Sequence, residues 1–209
     1  GELWGGDLSN VRASGTVSGV GENAGGVVGE YTSGALSNLT ATGNVYGADS
    51  VGGLVGVGSN SVTVRNSSAT GEVKGSSQVG GLVGWNLGKV ENSFSTGAVS
   101  GSDSDTTGGF VGRNDGGTIT ETYWRNTTSN PSDAFGSGTG DATALTTAEM
   151  TGMNATRNMG NLSFYDTWVP TKNDYPEPAS LAGTDGTTAD AFKSYFVGDG
   201  TEANPYEIE

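Results

Sequence analysis

The chain has 209 residues, a net charge of −14, 38 glycines, no cysteine and no histidine. That balance argues against nucleic acid, whose phosphates need clustered Lys and Arg, and it rules out a disulfide scaffold and thiolate or imidazole metal sites. It also removes the commonest general base and the usual partner of a serine nucleophile, and no run approaches the ~20 apolar residues of a membrane-spanning helix.

The first 130 residues are periodic. Residues 1–10 (Gly-Glu-Leu-Trp-Gly-Gly-Asp-Leu-Ser-Asn) read as the second half of a repeat unit. Four glycine doublets follow, Gly25-Gly-Val-Val-Gly29, Gly52-Gly-Leu-Val-Gly56, Gly80-Gly-Leu-Val-Gly84 and Gly108-Gly-Phe-Val-Gly112, at steps of 27, 28 and 28. A second marker keeps the phase: Asn10…Gly15-Thr-Val-Ser-Gly19, Asn38…Gly43-Asn-Val-Tyr-Gly47, Asn66…Gly71-Glu-Val-Lys-Gly75 and Asn92…Gly97-Ala-Val-Ser-Gly101, at steps of 28, 28 and 26. Such a glycine-rich, weakly apolar composition by itself suggests disorder. Two markers in one phase overturn that reading, because a period between about 20 and 50 residues signals stacked architecture.

Within a repeat, short β-rich stretches alternate with Gly, Asn and Ser, as in Gly81-Leu-Val-Gly-Trp85, the turn at Asn86-Leu-Gly88, Val90-Glu-Asn-Ser-Phe94 and the corner at Thr96-Gly97. These read as strands and corners, with no helical period before residue 140. The predicted fold is therefore all-β, a right-handed parallel β-solenoid of about four 28-residue turns over residues 1–130, with turns ~4.8 Å apart. One turn buries about five aliphatic side chains at ~1.5–3 kcal/mol each, against a backbone cost of ~1 kcal/mol or more per residue. A single turn fails; a stack with covered ends holds.

Residues 131–196 change character and predict an irregular, mixed C-terminal cap. Nine of the 17 aromatic residues lie from Pro131 onward. Thr146-Thr-Ala-Glu149 is a capping box opening a short helix near 146–151, ended by Gly152. Phe164, Tyr165 and Trp168 are expected to pack over the open end of the stack. Residues 197–209, ending Asn204-Pro-Tyr-Glu-Ile-Glu209, read as an extended tail and candidate donor strand.

The pattern of residues 80–101, Gly-Gly-Leu-Val-Gly-x-Asn…Asn-Ser-x-x-Thr-Gly-x-Val-x-Gly, resembles the GLUG-motif repeat, and the likeness covers roughly residues 1–128. Tyr123-Trp-Arg-Asn-Thr-Thr-Ser129 and Leu145-Thr-Thr-Ala-Glu-Met150 are similar to the usual ending of GLUG arrays. The tail resembles the segment that opens a new module in surface β-helix proteins. The resemblance implies a bacterial or archaeal protein displayed at the cell surface, and implies no reaction.

Candidate sites follow from residue types. Oxygen ligands alone leave calcium as the only reasonable metal, with Asp103, Asp105, Asp199 and Glu202 as candidates, although solvated acidic loops are the simpler account and no cofactor is expected. Five Asn-x-Ser/Thr sequons occur. Asn38 and Asn66 share the register of Asn10 and Asn92 and read as a structural column, so Asn126, Asn154 and Asn161 are the better glycosylation sites. Trp4, Tyr31, Tyr46 and Trp85 do not share one register, which favours packing over a carbohydrate stripe. Asp103, Asp105, Asp115 and Arg113 are the residues a β-helix polysaccharide enzyme would draw on.

The expected function is a non-catalytic extracellular structural or adhesive protein. In its sharpest form it is a subunit of a head-to-tail surface filament, the tail residues Asn204, Pro205, Tyr206 and Ile208 pairing with the first turn of the next copy near Leu3, Trp4 and Leu8. The alternatives are a glycan- or protein-binding adhesin module of a longer chain and, more remotely, a polysaccharide-active enzyme.

Overall fold

The structure, a computed structural model, describes residues 1–19, 21–127, 131–164 and 166–182, with the backbone of Phe196–Val197 and Glu207–Ile208. It is an all-β solenoid of about five turns. The 28-residue period becomes geometry through strand register. Val28, Val55, Val83, Val111 and Phe135 stack as one inward column, and Leu8, Leu36, Val64, Val90 and Ile119 as a second. Val17, Val45, Val73 and Val99 form a third, on a separate four-stranded sheet. Every ladder of the stack is parallel, and interior members such as Leu36, Val55, Val83 and Phe110 are wholly buried. Aliphatic residues recur once per turn because each must land on its counterpart one turn away.

The corners explain the two sequence markers. A Cβ on Gly80 would lie 2.0 Å from the Val83 carbonyl oxygen, and one on Gly81 would lie 2.2 Å from the Gly109 carbonyl oxygen. The doublet thus marks a backbone crossing with no space for a side chain. The asparagine marker is a left-handed corner. Asn10, Asn38, Asn66 and Asn92 have φ of 58°, 55°, 50° and 47°, and Glu121 continues the column at 56°. Asparagine tolerates that conformation better than most residues. Asn38 Nδ2 donates to Asn10 Oδ1 at 3.1 Å. The serines that follow Asn66 and Asn92 complete the corner: Ser67 Oγ accepts from Leu39 N and donates to the Arg65 carbonyl, and Ser93 Oγ accepts from Ser67 N and donates to the Glu91 carbonyl. Asn86 and Asn114 form a buried ladder one turn apart, Asn86 Nδ2 donating to Asn114 Oδ1 at 2.8 Å.

The stack runs beyond residue 130. Phe135–Ser137 pairs with Val111–Asn114, and Ala142–Leu145 with Thr122–Arg125, so part of the expected cap is a further partial turn. Trp124 closes the core there. Its column holds Ala13, Ala41, Ala69 and Ser95 in earlier turns, and its ring lies over Gly109, where a Cβ would sit 2.2 Å from it.

The remaining C-terminal residues do not lie over the open end as expected; they run along the side of the rod. Helix α1 (Thr147–Met150) opens with the expected capping box, and Gly152, at φ 59°, begins α2 (Gly152–Asn158) rather than only ending α1. A hairpin of Trp168–Thr171 and Asp174–Pro178 follows. This strap covers one outward column, Arg12, Thr40, Ser68, Phe94 and Tyr123. Buried Trp168 packs on Phe94 with ring centroids 5.3 Å apart, and Tyr123 joins Met150, Ala155, Met159 and Leu162 in the same cluster. At the far end Arg12 Nη1 pairs with Glu177 Oε1 at 3.0 Å, and Arg12 Nη2 donates to the Leu181 carbonyl at 3.4 Å. The strap follows the side because Phe94 and Tyr123 stand where Thr40 and Ser68 stand in earlier turns, an outward aromatic landing that burial rewards. Phe164 packs against this lateral cluster, and Tyr165 lies outside the described residues.

Candidate functional site

The residues nominated from sequence are spread over the rod. At its first turn, Leu3 and Leu8 are half-buried against the core while Trp4 is 77% exposed. Glu2–Leu3 and Leu8–Ala13 pair with Val28–Ala41 on one side, with no second partner strand among the described residues. Asn204, Pro205 and Tyr206 lie outside the described residues, and the backbone of Ile208 pairs antiparallel with Phe196.

Asp103 has a local duty. Its Oδ1 accepts from Asp105 N at 3.0 Å and its Oδ2 from Thr106 Oγ1 at 2.8 Å, capping a short 3-10 turn (Ser104–Thr106). Asp105 is exposed. Asp199 and Glu202 fall outside the described residues, among which no three acidic side chains converge on one metal-sized point. Asp115 is turned to Arg113 at 2.8 Å.

The five sequons separate by environment. Asn38 and Asn66 occupy the left-handed corner column, and their sequon hydroxyls, Thr40 and Ser68, are 4% and 1% exposed. Asn126, Asn154 and Asn161 are exposed, Asn154 within α2 with its Nδ2 donating to the Ala148 carbonyl.

Two concave surfaces stand out that the sequence reading did not assemble. The first is a groove of about 380 Å³ over the early turns, lined by Glu22, Asn23, Glu30, Asp49, Gln78 and Trp85. Its floor is a second left-handed column, Asn23, Ser50 and Gln78, at φ 60°, 51° and 51°. Asn23 Nδ2 donates to Glu30 Oε2 at 2.8 Å, Ser77 Oγ to Asp49 Oδ1 at 2.5 Å and Ser50 Oγ to Gln78 Oε1 at 2.6 Å. Trp85 stands one turn from Val57 and from Arg113, whose guanidinium lies 5.2 Å from the ring centroid. Glu2 and Glu30 are stacked neighbours, so this face is acidic and offers mostly acceptors. Aligning the repeats column by column would have brought Glu2, Glu30, Trp85 and Arg113 together. The second surface is a cleft of about 300 Å³ beneath the strap, lined by Thr40, Thr42, Ser68, Thr70, Asp174 and Glu177. Nothing in the repeat phase signals it, since half its wall comes from the non-repeating segment.

Perturbed ionisable groups mark scaffolding. Burial and nearby Asp7 push the Tyr31 phenol up, and its hydroxyl donates to the Gly6 carbonyl. Burial likewise raises the Tyr123 phenol, which accepts from Asn161 N at 3.0 Å. Lys74, with help from the Tyr46 hydroxyl, holds Glu72 below the usual carboxylate range, and Glu72 in turn raises Lys74. Tyr31 and Tyr46 therefore brace separate faces.

A scan against family models matches the GLUG motif at residues 75–100. No curated protein and no solved structure matches the chain. Proteins with this motif are typically secreted or surface-associated, and no helix among the described residues is long and apolar enough to cross a membrane. The matched segment runs from the end of one Val-x-Gly strand, Val73–Gly75, into its counterpart one turn on, Val99–Gly101. The same corner asparagines and glycine doublets repeat in register on either side of the matched segment, and the match supports a chain built of GLUG-type repeats.

Proposed function

We propose that the chain is a non-catalytic structural or adhesive module displayed outside the cell, working without a bound cofactor. The observation that supports this best is where its polar side chains are committed. Asn86, Asn114, Ser67, Ser93, Asp103 and Glu177 hold corners, ladders and strap. Acids such as Asp103 and Asp115 that a polysaccharide enzyme would need as a facing pair are each tied to a neighbour in their own loop. In the finer form of this reading, copies join by strand donation, residues 197–209 of one adding to the first-turn edge near Leu3, Trp4 and Leu8 of another. End-on stacking of turns is disfavoured, because Trp124 and Phe135 already close the other end of the core. Electron microscopy of native material tests it. Ordered filaments that vanish when residues 197–209 are deleted are expected; filaments that persist after the deletion refute strand donation.

A second reading, a ligand-binding adhesin, is favoured by the acidic groove. Its acceptors and the indole face of Trp85 suit a ligand rich in donors, such as an amino sugar or a basic peptide segment. Binding on a glycan and peptide panel that is abolished by Trp85→Ala would favour it over the filament.

A further inference from the structure

We propose that Asn161 carries an N-linked glycan, set on the strap-bearing side of the rod level with its fifth turn. The inference rests on the reading that the chain is exported. Five copies of one tripeptide motif are present, and tertiary structure makes them unequal. A transferring enzyme must hold the asparagine amide and the hydroxyl two residues on at the same time. At Asn38 and Asn66 that hydroxyl, on Thr40 or Ser68, is buried on the strap-covered column. Both asparagines also sit in corners stacked one turn apart, and the Asn38 amide is bonded to Asn10. At Asn154 the tripeptide is wound into α2, Nδ2 is spent on Ala148 O, and Thr156 Oγ1 donates to Met153 O at 2.8 Å. For Asn126, the residue is exposed but Thr128 lies outside the described residues.

Asn161 differs in exposure, in lying outside a helix and in its side-chain amide, whereas its sequon hydroxyl, like that of Thr156, is hydrogen-bonded. It is exposed, lies outside any helix after Gly160, and its side chain makes no hydrogen bond among the described residues. Ser163 is exposed too, its hydroxyl donating only to exposed Asp166. The backbone is firm, since Asn161 N donates to the Tyr123 hydroxyl on the fifth turn. A lipid-linked oligosaccharide pyrophosphate is one donor with the leaving group this chemistry needs. The Asn161 Nδ2 forms the bond to the anomeric carbon and loses one proton, the anomeric C–O bond breaks, and the lipid pyrophosphate leaves.

The position has a consequence for orientation. The strap leads the chain back so that Leu181 touches Arg12 of the first turn, where Glu2 also lies. The sugar therefore sits level with the fifth turn, at the far end of the strap from the Arg12–Leu181 contact at the first turn.

The test is site mapping of the full chain secreted behind a heterologous leader from an N-glycosylating host, reading the Asn-to-Asp conversion left by enzymatic deglycosylation. Conversion at Asn161, loss of one glycan from the intact mass in Asn161→Gln and Ser163→Ala, and its retention in Ser163→Thr are expected. A secreted chain that is bare at Asn161, or occupied at Asn38 or Asn66 instead, overturns the assignment while leaving the surface reading intact. Native material that stays inside the cell overturns the surface reading, whereas glycan at Asn161 in the heterologous chain still upholds the site.

Discussion

Replacing Phe94 by Val tests whether the strap ties the turns together. Phe94 is wholly buried between the third strand of the fourth turn and the strap, 5.3 Å from the Trp168 ring and 6.3 Å from that of Tyr175. Valine keeps a β-branched residue in a parallel strand, so the ladder to Ser68 and Tyr123 persists and the loss falls on the strap. Truncating a buried Phe to Ala costs roughly 3–5 kcal/mol. The two methyls of valine restore ~0.8 kcal/mol each, and the lost aromatic pair adds about 0.5–1.5 kcal/mol. The net is about 3 kcal/mol, a factor of roughly 100 in an opening equilibrium. The Arg12–Glu177 contact, a charged hydrogen bond of about 1.5–3 kcal/mol, cannot hold the strap alone against that change. Solenoid turns normally touch only their neighbours and fray from the ends; here the strap links the first turn to the fourth and fifth. Hydrogen exchange of the Leu8–Ala13 amides should therefore rise about 100-fold, three turns from the substitution, while those of Val83–Asn86 stay within a few-fold of wild type. If the hairpin 168–178 loosens and Leu8–Ala13 exchanges as before, the turns are independent and the strap is a passenger.

Three further outcomes follow from local geometry. Asn66→Gly should leave stability within a few tenths of a kcal/mol, whereas Asn66→Ala should lose about 1–2 kcal/mol because alanine resists a φ of 50°; urea unfolding of both variants reads the difference. Gly109→Ala forces a methyl into the Trp124 ring and should cost at least the ~1–3 kcal/mol of overpacking, most of it recovered in a Gly109→Ala, Trp124→Ala double variant; simple additivity in that cycle would place the clash elsewhere. Glu149 accepts from Thr146 N at 2.8 Å, which holds its carboxyl below the usual range. A depressed folded value means this contribution to α1 is present above the unfolded pKa and lost as pH falls through the folded one, so an NMR titration of Glu149 should show a low midpoint that moves partway up in Thr146→Ala, which removes only the hydroxyl donor, and further in Thr146→Pro, which also removes the N–H; a midpoint unmoved in Thr146→Pro would remove the capping box as its cause.

Much of the fold was legible because a stacked turn repeats its chemistry. Val28, Val55, Val83 and Val111 had to share one column, and Asn10, Asn38, Asn66 and Asn92 had to share one corner, since a 28-residue step maps each onto the last. The α1 capping box was equally readable, being set by residues three apart. The expected lid over the open end was not correct for Trp168 and Phe164. Their partner, Phe94, looked in sequence like one more member of a strand, and only its outward position turned it into a docking site.

The sequence alone determined what depends on register: strand type, turn length, where glycine is compulsory, and which asparagines are structural. Tertiary structure decided what depends on which side of a strand faces another element. It brought Arg12 to Glu177 across 165 residues, gathered Glu30, Asp49 and Trp85 into one groove, and separated sequons of one pattern into buried, helical and open ones. Periodicity fixes a residue's address along the stack, whereas a non-repeating strap chooses its own path by burying whichever outward column is most apolar.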